Sequence, residues 1–119
     1  MRNHPNAVAI HPYFKVHPGN EEAARALMPR FVEQTRSEPG CLFYGFTTCD
    51  DEVFCQEAYV DGDAVLAHLQ NVGALLGEML KLADLLRLEF HGPAAELAKI
   101  EPAAKGLGAR YFAYAVGLD

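Results

Sequence analysis

His68, Glu57 and Tyr59 are the residues of this chain whose types best fit acid–base chemistry. Glu57 and Tyr59 are two positions apart, so in a strand they share one face. His68 lies in the apolar stripe of the next predicted helix, bounded by Leu69 and Met79, so its ring should face the sheet. A neutral imidazole oriented by Glu57 is a workable general base. The alternative is a buried histidine whose pairing with Glu57 or a backbone carbonyl is purely structural.

Aromatic side chains are expected around these residues. Tyr44 and Phe46 alternate along one predicted strand, and Phe14 lies on the first strand. Core packing is the ordinary role of such side chains, but buried tyrosine hydroxyls need polar partners. A pocket of this composition would suit a flat, aromatic or quinone-like molecule. We therefore take Tyr59, Tyr44, Phe46 and Phe14 as candidate substrate-binding residues.

Three His-Pro pairs, at positions 4–5, 11–12 and 17–18, raise the question of a metal site. Their spacing places the imidazoles along an extended segment rather than around one point, and zinc needs convergent ligands. No metal site is therefore expected. The chain also lacks a Gly-rich phosphate loop after a strand and a Gly-x-Ser-x-Gly motif, which disfavours nucleotide binding and α/β-hydrolase chemistry.

The three cysteines are odd in number and lie in apolar runs at positions 41, 49 and 55. This pattern favours reduced thiols in a cytoplasmic protein over a disulfide framework. Burial as small apolar side chains is the expected role, with a catalytic thiol as the alternative. They form no Cys-x-x-Cys pair, so a redox relay is not expected.

Length and charge limit the class of protein. A chain of 119 residues with half its residues apolar is typical of one globular domain. The net charge of −6 and pI near 5.3 argue against nucleic-acid binding, which needs clustered Lys and Arg. No secretory signal and no membrane-length apolar segment is recognisable, so no membrane association is predicted.

Hydrophobic periodicity predicts alternating strands and helices. Pro12 should produce a bulge or break in the first strand, and Pro29 should kink the first helix. Asn20 and Asp63 are the expected N-caps of the first two helices. Gly73 and Gly77 leave open whether the second helix is one bent helix or two. The predicted strands are 7–16, 41–48, 53–60, 86–91 and 109–116. The predicted helices are 64–85, 93–100 and a first helix that begins at 21 and ends by 38.

The element order predicts a ferredoxin-like α+β fold. In this split β-α-β arrangement an antiparallel sheet is covered by helices on one face. The other face would expose apolar side chains, so we expect a homodimer that packs sheet against sheet. The last strand, 109–116, could then reach across to the second subunit.

Four short motifs in this order resemble the antibiotic biosynthesis monooxygenase-like family. They are VHPGNEE at 16–22, EPGCLFY at 38–44, EAYVD at 57–61 and AHL at 67–69, and the resemblance covers about residues 8–91. It implies a dimeric α/β barrel and a domain with its core at about 7–91 and a C-terminal extension at about 92–119.

The resemblance also implies chemistry. Some members of the family oxygenate phenolic or quinol substrates with molecular oxygen and no metal or other cofactor. His68 would be the base, Glu57 would orient it, and a small aromatic, phenolic or quinol-like molecule would be the ligand. Others degrade haem or have no known activity. Tyr59 stands where the family often has Trp, and Pro12 falls near the position of an Asn in several active members, so a non-catalytic ligand-binding or structural dimer is the alternative.

Overall fold

The computed structural model describes residues 1–118, which form a five-stranded sheet with three helices. No helix within that range is both long enough and apolar enough to cross a membrane. In chain order the elements are β1 (Val8–Val16), α1 (Glu21–Thr35), β2 (Cys41–Cys49), β3 (Glu52–Tyr59), α2 (Gly62–Leu82), β4 (Ala83–Gly92), α3 (Ala94–Ile100) and β5 (Arg110–Ala113).

The strand order in the sheet is β2-β3-β1-β4-β5. The first four strands pair antiparallel, and β5 pairs in parallel with β4, so the complete sheet is mixed. Buried residues from the helices and from one face of β1 share two apolar clusters, which shows that this face carries the helices. The predicted ferredoxin-like α+β fold with an extra C-terminal helix and strand is confirmed.

β1 is the central strand and continues through Pro12. Its alternate residues Val8, Ile10, Phe14 and Val16 are buried on the helix-covered face, as the alternation predicts. The expected irregularity takes the form of a bulge on the neighbouring β4. Tyr13 pairs with Arg87 but Phe14 pairs with Leu85, so one extra residue is inserted there.

α2 is a single helix of 21 residues and begins at Gly62, two residues earlier than predicted. Asp61, rather than Asp63, caps it, since the Asp61 carboxylate accepts a 2.8 Å hydrogen bond from the Ala64 amide. The helix also continues through Gly73 and Gly77, because the apolar face on either side of them is packed against the sheet.

The end of α2 also differs from the prediction. The helix stops at Leu82, and residues 83–85, predicted as helical, are the start of β4. Ala83 and Asp84 pair with Val16 and Lys15 of β1. The local pattern of residues 83–85 fits a helix as well as a strand, and pairing with β1 decides for the strand.

Two apolar clusters form the core between helices and sheet. One contains Phe14, Phe31 and Val72 with their neighbours, and the other contains Val8 and Val65 with theirs. Val65 and Val72 lie two turns apart on α2 and belong to different clusters. The residues between them therefore lie at the boundary between the two clusters, which we call the seam. His68 is in that position.

The opposite face of the sheet is not covered by any helix in the described residues. Strand alternation places Tyr13, Phe43 and Phe54 on this open face, and Phe43 is 48% exposed. β5 covers residues 110–113 of the predicted strand at 109–116, and it pairs with β4 of its own chain. β5 therefore extends the sheet of its own chain, and the expectation that residues 109–116 reach across to a second subunit stays a prediction.

Gly40 allows the chain between α1 and β2 to approach the first turn of α2. A Cβ atom built on Gly40 would lie 2.5 Å from the Ala64 Cβ, which is closer than real contacts allow. The Gly40 carbonyl also accepts a 2.9 Å hydrogen bond from the Val60 amide. The joint that follows α1 is thus fixed against both β3 and α2.

We expect Gly40→Ala to lower the free energy of unfolding by about 1–3 kcal/mol, because the added methyl overpacks the contact with Ala64. Urea denaturation followed by circular dichroism measures this change. Gly45→Ala is the matched control, since nothing lies within 4 Å of a Cβ at Gly45. Equal stability of the two variants would contradict the assigned role of Gly40.

Candidate active site

Four polar side chains meet at the seam between the apolar clusters. Glu57 and Tyr59 extend from β3, His68 lies on α2, and Glu38 lies in the joint between α1 and β2. His68 is 3% exposed and Glu57 is 5% exposed. Buried polar groups of this kind are stable only when they are paired, so their contacts define what the site can do.

Glu38 holds one side of the His68 ring. The distances from His68 Nδ1 to Glu38 Oε2 and Oε1 are 2.9 and 3.1 Å. The Asn71 amide, one turn further along α2, donates to Glu38 Oε2 at 2.7 Å. Pro39 biases Glu38 toward an extended backbone, which ends the helical region before it. Since a carboxylate only accepts, the hydrogen of a neutral His68 ring lies on Nδ1.

The other nitrogen of His68 faces Glu57. His68 Nε2 lies 3.4 Å from Glu57 Oε1, slightly longer than a normal hydrogen bond. Burial lowers the pKa of His68, an effect that the hydrogen bond and charge of Glu38 partly offset. Near neutral pH the ring is therefore neutral, and Nε2 carries the free lone pair that a general base needs.

Burial raises the pKa of Glu57 to about 7, against the opposing effect of hydrogen bonds from Tyr59 and Cys55. The negative charge of Glu38 raises it further. The Tyr59 hydroxyl donates to Glu57 Oε1 at 2.6 Å. A carboxyl group with this pKa exchanges its proton in the neutral range, as acid–base catalysts do.

The two tyrosines pack against the His68 ring. Ring centroids lie 4.9 Å from His68 for Tyr59 and 5.3 Å for Tyr44. Burial raises the pKa of both phenols well above its ordinary value, and the charge of Glu57 contributes to each shift. Both hydroxyls therefore stay protonated and act as hydrogen-bond donors.

A cavity of about 60 Å³ adjoins this cluster and has mostly apolar walls. Its lining includes Phe14, Tyr44, Phe46, Glu57 and His68, and the second apolar cluster also contributes to it. The volume suits a few atoms, well below the 300–1,000 Å³ of typical ligand pockets. A larger ligand would need the surrounding side chains to move apart.

The structure brings the sequence-predicted residues together, with two differences of role. Tyr59 is fully buried beneath Glu57 and is absent from the cavity lining, so its hydroxyl serves Glu57. Glu38 holds the orienting position on His68 Nδ1, and Glu57 faces Nε2 instead. Sequence reasoning used Glu38 only as the end of a helix. Its 30-residue separation from His68 follows no local period, and only the tertiary fold reveals the pair.

The family model described as antibiotic biosynthesis monooxygenase matches residues 7–75, which is more than half of the chain. The chain belongs to the antibiotic biosynthesis monooxygenase family. The matched segment contains Glu38, Glu57, Tyr59 and His68. None of the functionally curated proteins matches the chain.

Solved structures extend the likeness beyond the matched segment. MupZ from Pseudomonas fluorescens superposes with a TM-score of 0.90 at 33% identity, covering 96% of this chain and 94% of MupZ. Rv0793 from Mycobacterium tuberculosis gives a TM-score of 0.65 at 25% identity, covering 74% of this chain and 95% of Rv0793. SO0527 from Shewanella oneidensis gives 0.65 at 23% identity, covering 72% of this chain and 89% of SO0527, and shows the fold alone.

The pKa of Glu57 predicts a specific pH dependence of stability. Its folded pKa of about 7 lies above the ordinary value of 4.5, so the folded protein holds a proton that the unfolded chain has released between these values. The stability contributed by that proton is fully present below pH 4.5 and is lost as pH rises through 7. The difference in unfolding free energy between wild type and Glu57→Gln should fall by about 3 kcal/mol across this window.

Urea denaturation at successive pH values measures this difference. Comparison with Glu57→Gln removes the pH dependence of groups that both proteins share. Glu52→Gln, an exposed glutamate of the same strand, is the control and should follow wild type at every pH. A difference between wild type and Glu57→Gln that stays constant with pH would refute a raised pKa at Glu57.

Proposed function

We propose that this protein is a cofactor-independent monooxygenase that acts on a small aromatic, phenolic or quinol-like molecule, with His68 as the general base. One observation carries the proposal: the free Nε2 of a neutral, buried His68 faces Glu57 at the wall of an apolar cavity. Membership of the family is consistent with this reaction.

The proposed reaction begins when His68 Nε2 takes a proton from an activated carbon or hydroxyl of the substrate. The resulting electron-rich anion reduces molecular oxygen directly. For a substrate with an activated CH₂ group, one oxygen atom becomes the new carbonyl and the other leaves as water. The four electrons lost by the CH₂ carbon reduce both atoms of O₂, so the step balances. An apolar cavity assists because it keeps water away from the anion.

Glu38 and Glu57 have separate roles in this scheme. Glu38 accepts the Nδ1 hydrogen, which fixes the tautomer and stabilises the imidazolium that forms when Nε2 is protonated. Glu57, with its pKa of about 7, is placed to share the proton on Nε2 or return it to the product. Tyr59 holds Glu57, and Tyr44, Phe46 and Phe14 provide contact surface for the ring of the substrate.

His68→Ala should lower turnover by about 10²–10⁴-fold, because general-base catalysis typically contributes this much. Oxygen uptake with a panel of anthrones, naphthols and hydroquinones measures turnover. His17→Ala is the matched control, since His17 Nε2 also lies 2.9 Å from a carboxylate, that of Asp84, but directly after β1 and outside the cavity lining. Turnover that survives in His68→Ala would place the base elsewhere.

A non-catalytic ligand-binding or structural dimer is the second candidate. It is favoured by the small volume of the cavity and by the mutual pairing of Glu38, Glu57, Tyr59 and His68. Binding of a naphthol that shifts the NMR signals of His68, without oxygen uptake, would support this candidate. A Soret band on addition of haem would instead indicate a haem-binding member of the family.

The proposal includes a homodimer formed through the open sheet face. Exposed and half-buried aromatic side chains on that face support it, since a contiguous apolar surface usually marks an interface. We also propose a single domain with its core at about 7–91 and an extension at about 92–119. The three free thiols favour the reducing cytoplasm as its location.

Phe43→Asp should convert the dimer to a monomer, because it places a charge on the open sheet face that forms the proposed interface. Light scattering after gel filtration at micromolar concentration measures the mass. Leu80→Asp is the control, since Leu80 is also an exposed apolar residue but lies on α2. A monomeric wild-type protein would exclude the proposed interface.

A further inference from the structure

The open face of the sheet carries a second cluster of polar side chains that the proposed reaction does not use. His11 on β1 lies directly opposite Glu89 on β4, and His91 follows two positions later on β4. Strand alternation therefore places all three side chains on one face. The residue between them, Phe90, is fully buried on the helix-covered side.

The three side chains converge on one carboxylate oxygen. His91 Nε2 lies 2.9 Å from Glu89 Oε1, and His11 Nδ1 lies 3.7 Å from the same atom. One ligand atom from each residue can be chosen so that all lie within 4.8 Å of one another. Two imidazole nitrogens and a carboxylate oxygen form a donor set typical of zinc and related transition metals.

The surrounding contacts hold these side chains in place. The His91 ring stacks on Phe112 at 4.5 Å with an interplanar angle of 6°, and the His11 and His91 rings stack at 4.5 Å. Glu89 is buried, and Arg87 Nε contacts its second oxygen, Oε2. Oε1 is thus the oxygen directed at both histidines, as a metal ligand supported by a neighbouring hydrogen bond would be.

We propose that His11, Glu89 and His91 bind a divalent first-row transition-metal ion, with Zn²⁺ as the representative ion. Three protein ligands leave at least one coordination position for water or for a donor from another molecule. The site is on the opposite side of the sheet from Glu57 and His68, so metal binding is separate from the proposed oxygenation. The inference does not depend on the proposed oxygenation. The site shares the open sheet face with the proposed dimer interface, so the donor from another molecule can come from the second subunit.

The geometry also assigns an opposing role to Arg87. Its guanidinium lies beside Glu89 and its positive charge disfavours a nearby cation, although its side chain is 58% exposed and screened by solvent. Arg87→Gln removes this charge but leaves an amide that can still donate to Glu89 Oε2, so all three metal ligands and the supporting hydrogen bond are kept. Metal binding should therefore tighten. Tighter metal binding after loss of the Arg87 charge distinguishes a metal site from a cluster that needs Arg87 for its structure.

Titration of the full chain with Zn²⁺ in a calorimeter, and with Co²⁺ by absorption spectroscopy, tests the proposal. A Cys49→Ser background removes the exposed thiol as a competing ligand. We expect one ion per chain. His11→Ala and His91→Ala should each weaken binding by at least about tenfold, since even changes next to metal ligands cost that much.

His17→Ala is the matched control and should bind like the parent, because the His17 side chain pairs with Asp84 and is not part of the cluster of His11, Glu89 and His91. Arg87→Gln should bind several-fold more tightly. Circular dichroism establishes that each variant is folded, and if His91→Ala does not fold, His11→Ala and Arg87→Gln carry the test. Binding that is absent in the parent, unchanged in His11→Ala or equally weakened in His17→Ala would overturn the assignment.

Discussion

The arrangement of the core depends on the burial of a carboxylic acid between two apolar clusters. Burying an unpaired charge is costly, so Glu57 must either be neutral or have partners. It has both, with a pKa raised to about 7 and hydrogen bonds from Tyr59 and Cys55. The same requirement extends to His68, whose ring needs Glu38 on its other side. Glu57, His68 and Glu38 come from β3, α2 and the joint before β2, so their mutual contacts fix the relative positions of these three parts of the chain.

Much of the fold follows from local sequence patterns, because each pattern shows which face of a strand or helix is buried. Alternation identified the buried face of β1, and the apolar stripe placed His68 against the sheet. The predictions that failed were at places where two local signals competed. Asp61 and Asp63 are both plausible caps, and residues 83–85 fit a helix as well as a strand. Sheet pairing and the capping hydrogen bond decide these cases, and neither can be read from a short window.

In the candidate site as well, some residues could be predicted from local patterns and one could not. Glu57 and Tyr59 are two residues apart and His68 belongs to the next element, so their meeting could be predicted from alternation and periodicity. Glu38 could not, because its contact with His68 spans 30 residues and depends on how the joint after α1 packs on α2. The cluster of His11, Glu89 and His91 also escaped prediction. His11 was considered only with the other histidines of the N-terminal segment, whereas its neighbours are contributed by β4.

The parallel pairing of β5 with β4 changes what the edge of the sheet offers to other chains. Without β5, the ten residues of β4 would present a long row of unpaired amide and carbonyl groups. Such an edge is a template for another strand and a common origin of aggregation. β5 has only four residues, so it pairs with part of β4 and presents a much shorter edge of its own.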